Sequence, residues 1–177
     1  MNFKQINIKK LLIILSISSS ILISDQLTKF LIRSELAIYQ SIPEQGFFRL
    51  THVRNTGSAF SLIKDQNILL TTIGIIVLIV LIYFLKEFDT DQPLVITAIS
   101  LQIGGALGNL SDRIFLGSVV DFIDIGVSGV YRWPTFNIAD SSIIIGIIVL
   151  IFSFFITPID KNNNLEKTQK SRKHRKQ

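Results

Sequence analysis

The sequence predicts an all-α polytopic membrane protein, with four transmembrane helices and a small β element on the outer face. Three observations lead there. The 177-residue chain is 48% hydrophobic with a mean hydropathy of +0.47, and its apolar residues come in blocks. Four of those blocks approach the roughly 20 residues that a helix needs to cross hydrocarbon. Lysine and arginine gather at both chain ends, which the positive-inside rule assigns to the cytoplasm, so the number of spans is even.

The elements follow in order. Residues 11–32 form the first span, although it carries Asp25 and Lys29. Its basic start, MNFKQINIKK, resembles a signal peptide. The apolar pattern runs on through SSSILISDQLTKFLI, and no small-residue cleavage site follows, so a retained span is expected. Residues 67–85, ILLTTIGIIVLIVLIYFL within them, form a clear second span. Residues 94–111 are Gly-rich and less apolar, and complete the pairing as a third. Residues 138–157 form the fourth. Residues 33–66 and 112–137 become the outer loops of a single membrane domain covering 1–160. In the first loop AIYQSI and GFFRLTHV have strand-like composition around the turn signal PEQG, and VSGVYRWPTF in the second adds a candidate strand.

Composition excludes several chemistries. The chain has no cysteine, so disulfides, thiolate nucleophiles and cysteine metal sites are excluded. With two histidines, His52 and His174, and no HExxH, a histidine-built zinc site is not expected. Residues 161–177 hold seven Lys/Arg and one Glu. They read as a disordered cytoplasmic tail that meets anionic lipid headgroups. No aromatic residue is interleaved with these charges, so no nucleic-acid partner is expected.

Orientation brings the polar residues together. Spans one and three run outward, and span four runs inward from the outer face. Asp25 and Lys29, then Asn109, Asp112 and Arg113, then Asn137 and Asp140 all fall near the outer leaflet. Asn55 and Asp121 lie in the outer loops. Costly polar groups at one depth, with nearly featureless inner halves, point to a site.

Each motif also has a plainer reading. Asp25 and Lys29 in DQLTK stand at i and i+4, the favourable order for an ion pair that merely shapes a helix face. Gly57 in RNTGSAF suits an ordinary turn. Gly104, Gly105 and Gly108 permit close helix packing, which does not account for Asn109, Asp112 and Arg113 sharing a face. In VVDFID, read as a loop, the pattern does not choose between Asp121 and Asp124. Asp140 in NIADSS suits a helix cap, where free N–H groups attract negative charge.

Taken together, five motifs resemble those of the prolipoprotein signal peptidase family, also called signal peptidase II. They are DQxTK at 25–29, NxGxAF at 55–60, GGAxGNxxDR at 104–113, VVDF at 119–122 and FNxADSxI at 136–143. Each is weak alone. Five in the family's order and spacing are specific, and the basic tail falls outside them. The resemblance implies an aspartic endopeptidase of the bacterial inner membrane, with both termini cytoplasmic and the active site towards the periplasmic leaflet. Its substrates would be prolipoproteins carrying diacylglycerol on the lipobox cysteine, cut just before that cysteine. It implies Asp121 and Asp140 as the catalytic pair. Asn55, Gly57, Asn109, Arg113, Asn137 and Ala139 would lie around them, with Asp25 and Lys29 in support. The family fold, four spans with a small β-cradle, agrees with the reading from the residues.

Two aspartates hydrolyse a peptide without metal or cofactor. Held close, they share a proton: one takes a proton from water while the other donates to the carbonyl oxygen. Asn55 and Asn109 are expected to hydrogen-bond substrate, Arg113 to fix Asn109 or Asp112 or to hold substrate, and Asn137 to orient Asp140. The diacylglyceryl group is expected to sit between helices, in contact with membrane lipid. Three rivals make different predictions. A serine/lysine peptidase would use Lys29 with Ser141 or Ser142. An ion-coupled transporter needs polar groups along a whole path. A non-catalytic lipid-binding protein needs no aspartate pair.

Overall fold

The computed structural model describes residues 8–57, 66–87 and 92–156. Helix α1 spans Ile8–Glu35, α2 Asn67–Glu87, α3 Pro93–Leu116 and α4 Ile138–Ile156. All four are long and apolar enough to cross a membrane. The basic tail at 161–177 lies outside the described residues.

Helix α3 is the hub, packing against α1, α2 and α4. Ser18 of α1 donates to the carbonyl of Ser100, and Gln26 to that of Gly108, so α1 and α3 run parallel. A Cβ on Gly105 would meet Ala139 and Ser142, and one on Gly146 would meet Ala98, so α4 runs antiparallel to α3. A hydrophobic core of Ile14, Leu85, Ile96, Ile99 and Ile103 joins α1, α2 and α3 away from the polar end. The outward faces of the helices remain apolar and exposed, as lipid-facing surfaces should.

Local signals bound α3 at both ends. Pro93 opens it, where a missing N–H costs nothing. Gly117 closes it at φ 71°, a left-handed conformation that glycine adopts without strain. The extra helical turn places Asp112 and Arg113 on α3 itself.

The connections carry a four-stranded antiparallel sheet in the order β1 (Ser41–Ile42), β2 (Phe48–Asn55), β3 (Val119–Val127), β4 (Tyr131–Arg132). Val120 and Phe122 of β3 pack with Ile32 and Leu36 at the end of α1, which seats the sheet on the bundle. The sheet differs from expectation at its centre. VVDFID reads as a loop because Asp is disfavoured in strands, yet it forms most of β3. Side-chain donors satisfy both of its carboxylates, so tertiary context outweighs propensity.

Candidate active site

Strand parity separates the two aspartates of β3. Residues three apart point to opposite faces. Asp124 opposes Arg49 in the β2–β3 register. Its carboxylate accepts Arg49 Nε at 2.9 Å, Thr51 Oγ1 at 2.8 Å and Arg132 Nε at 2.6 Å. Burial alone pushes the Asp124 carboxyl up. Hydrogen bonds from Arg132, Thr51 and Arg49, together with the Arg49 charge, outweigh it and hold Asp124 below the usual carboxylate range. It is a structural ion cluster.

Asp121 faces the helices instead. Asn55 ends β2 on the same face, and its Nδ2 donates to Asp121 Oδ2 at 2.9 Å. Asn137 Nδ2 donates to Asp121 Oδ1 at 2.8 Å. Asp121 is 2% exposed. Burial first, and then the Asp140 charge, push its carboxyl up to about 7 against the hydrogen bonds from Asn55 and Asn137 and the Lys29 charge.

Asp140 stands in the first turn of α4 and is indeed a cap. Asn137 Oδ1 accepts the Asp140 N–H at 2.9 Å, and Asp140 Oδ2 accepts the Asn137 N–H at 3.2 Å, a reciprocal capping box. Its other oxygen accepts Asn109 Nδ2 at 2.7 Å. The cap therefore fixes a carboxylate whose second oxygen is held from α3. Asn137 bridges the pair, touching Asp121 with its side chain and Asp140 with its backbone.

Beneath lies a second, buried layer. Lys29 has no exposed surface, and its Nζ stands 2.8 Å from Asp25 Oδ2, 3.1 Å from Asp112 Oδ2 and 3.1 Å from Asn109 Oδ1. Asp25 Oδ1 accepts the Ala139 N–H at 2.9 Å, and Asp112 Oδ2 accepts the Val120 N–H at 3.0 Å. One ammonium thus ties α1, α3, the start of α4 and β3 together. Gly108 makes room for it: a Cβ there would stand 2.6 Å from Asp25 Oδ2.

Asp121 and Asp140 line a cavity of about 660 Å³, together with Asn55, Gly57, Arg113 and Ser141. Gly57 N–H donates to Asn55 Oδ1 at 3.0 Å, which fixes that amide. The Arg113 guanidinium lies within electrostatic reach of Asp140, Asp121 and Asp112. Asn109 and Asp112 are held by Lys29, the part the sequence offered to Arg113. Asn109 is also engaged on Asp140 and Asn137, so its bonds run to protein groups. Asp25, Lys29 and Ala139 are fully buried and do not line the cavity. Ser58, Ala59 and Phe60 of the RNTGSAF motif lie outside the described residues.

Several contributors were not singled out from the sequence. Gln26 donates to Asp112 Oδ1 at 3.0 Å and closes the buried layer. It stands one position off the Asp25–Lys29 face, so helical spacing hides it. The wall formed by Trp133, Pro134, Thr135 and Phe136 ends the candidate strand VSGVYRWPTF, and its backbone pairing with Ile125 and Ile123 brings it to the site.

The chain is similar to known proteins over most of its length. The family model described as Signal peptidase (SPase) II matches residues 17–156. The lipoprotein signal peptidase of Psychromonas ingrahamii is 43% identical over 135 residues, covering 74% of this chain and 78% of that one. The lipoprotein signal peptidase of Alteromonas mediterranea is 40% identical over 143 residues, covering 78% of each chain. A bacterial membrane enzyme solved by the in meso method at 2.3 Å superposes with a TM-score of 0.74 at 36% identity, covering 92% of this chain and 96% of that one. A second, at 1.9 Å, gives 0.72 at 37% identity, covering 89% and 99%.

Proposed function

The chain belongs to the signal peptidase II family, lipoprotein signal peptidases that remove signal peptides from prolipoproteins, and from that premise we propose that Asp121 and Asp140 are its catalytic pair. It is a multi-pass membrane enzyme. The observation that carries the assignment is that both carboxylates line one cavity and are bridged by one residue, Asn137.

The chemistry follows from that placement. Asp121, which burial disfavours as an anion, holds the shared proton. Asp140 removes a proton from water, which attacks the carbonyl carbon before the lipidated cysteine. Asp121 protonates the carbonyl oxygen to give a gem-diol. Asp140 then passes the proton taken from water to the departing amine as the C–N bond breaks, and Asp121 takes back a proton from the gem-diol hydroxyl as the new carboxyl group forms. The titration belongs to the pair. Asn55, Asn109 and Asn137 position the carboxylates, and Arg113 faces the cavity as the group that holds substrate. Lys29 and Asp25 fix the framework from below.

The lipid has a place in this reading. Among the described elements the α2 backbone comes close to that of α3 alone. Leu70 of α2 and Ile143 and Ile144 of α4 line the same cavity. The diacylglyceryl chains lie in that gap, continuous with bilayer lipid. Lys9 and Lys10 and the seven basic residues of the tail put both termini in the cytoplasm of the bacterial inner membrane. The site then opens to the outer leaflet. Residues 1–160 act as one domain, the basic tail meets lipid headgroups, and no nucleic acid is engaged.

A gel-shift assay tests the pair, using purified protein and a diacylglyceryl-modified lipoprotein precursor. Wild type and Asp124→Asn should cut, while Asp121→Asn and Asp140→Asn should not. Cleavage at the wild-type rate by either of the last two would remove that residue from the chemistry. Loss of cleavage in Ser141→Ala with both aspartates intact would favour the serine/lysine rival.

A further inference from the structure

The segment from Trp133 to Phe136 runs beside β3 as the outer edge of the sheet at the cavity. Phe136 exchanges both backbone bonds with Ile123: Phe136 N–H donates at 3.1 Å and Ile123 N–H donates back at 2.7 Å. The Trp133 N–H donates to Ile125 at 2.8 Å. The pairing shifts by one residue between Arg132 and Phe136, which leaves the Thr135 N–H and C=O out of the ladder to β3. Neither has a hydrogen-bond partner among the described residues. Pro134 has no N–H, so Thr135 offers the one free backbone donor between Trp133 and Phe136. Thr135 lines the cavity that holds Asp121 and Asp140, and it precedes Asn137, their bridge, by two residues.

We propose that the precursor segment just before the lipidated cysteine binds as one more extended strand on this edge, pairing its backbone with the Thr135 N–H and C=O. The proposal rests on the catalytic reading above and adds the subsite that delivers the scissile bond. An unpaired edge is a template for an added strand. The occupant is a peptide backbone because the groups on offer are one backbone donor and one backbone acceptor. The neighbouring apolar walls leave side-chain choice loose. Proline at 134 limits the pairing to one residue and discourages a longer, unspecific strand.

The test uses the full chain in detergent and diacylglyceryl-modified precursor peptides. Peptide bonds before the cysteine are replaced one at a time by esters, which removes a single N–H. One position should raise KM about tenfold, the size of one lost hydrogen bond, with kcat little changed. Thr135→Pro removes the enzyme's donor and should raise KM by a similar factor. Combining it with that ester should cost less than the product of the two effects, because one displaced strand loses both bonds. A flat ester scan, or an ester penalty undiminished in Thr135→Pro, would overturn the proposal. Should Thr135→Pro fail to fold, a photocrosslinker at the sensitive substrate position decides on the wild-type chain. Adducts within residues 133–136 support the strand, and adducts confined elsewhere refute it. Asp121→Asn should crosslink without cutting. Cutting by that variant would refute the catalytic reading alone, whereas a missed crosslink would refute only the subsite.

Discussion

Asn137 Nδ2 stands 2.8 Å from Asp121 Oδ1, while the backbone N–H of the same residue faces Asp140 Oδ2 at 3.2 Å. One residue therefore sets the separation and orientation of both carboxylates. Asn137→Ala removes a charge-assisted donor, worth roughly 1.5–3 kcal/mol. It should lower kcat about 10- to 100-fold. Its hydrogen bond lowers the Asp121 pKa, so its loss raises it. With Asp121 as the acid, the alkaline limb of the kcat/KM profile should move to higher pH. An unmoved limb would show that Asp121 does not carry the proton in the free enzyme.

The raised pKa of Asp121 also couples folding to pH. Burial pushes the folded carboxyl up to about 7 from the ordinary 3.8, so between those values the folded state binds more protons than the unfolded one. Stability then falls as pH rises through that window. The effect is fully developed above about pH 7 and amounts to a few kcal/mol in order of magnitude. Asp121→Asn cannot ionise. Relative to wild type, its melting temperature in detergent should rise as pH goes from 5 to 8. A parallel pair of melting curves across that range would contradict the shift.

Asp124 shows the opposite sign and a different role. Its folded pKa is depressed, so its contribution is present above the unfolded value and is lost as pH falls through the folded one. Asp124→Asn leaves Arg49 and Arg132 without their shared carboxylate. Removing one partner of such a partly buried cluster costs about 1–3 kcal/mol. The variant should melt earlier yet retain kcat below its melting temperature. A kcat drop comparable to that of Asp121→Asn would mean that the two faces of β3 are not independent.

The bundle was legible in the sequence because lipid imposes long apolar runs and charge asymmetry fixes an even number of spans. Convergence of the polar groups followed from orientation alone. Residue pattern could not choose Asp121 over Asp124, because that choice depends on strand parity within a segment that reads as a loop. The resemblance names Asp121, and β3 turns Asp121 and Asp124 to opposite faces. Helical spacing revealed Asp25 with Lys29, and Asn109 with Asp112. It could not show that Lys29 reaches across to Asp112, since that contact joins α1 to α3. The wall from Trp133 to Phe136 reads as the end of the strand-like VSGVYRWPTF, but its place beside the carboxylates is set by long-range pairing with Ile123.

Lys29 provides a separate test of the buried layer. Its ammonium is fully buried between Asp25 and Asp112, and both carboxylates also accept backbone N–H groups from α4 and β3. Lys29→Met keeps the volume and deletes the charge, leaving two carboxylates without their cation. A loss of about 3–5 kcal/mol is expected. Adding Asp112→Asn removes one stranded charge and should restore part of the melting temperature. Asn109 would also lose the Lys29 donor to its carbonyl, one of the two bonds, with that from Asn137, that hold its amide against Asp140. The single variant should therefore lose kcat even at temperatures where it is folded. If Lys29→Met melts like wild type and cuts like wild type, the buried layer neither holds the helices together nor positions Asp140.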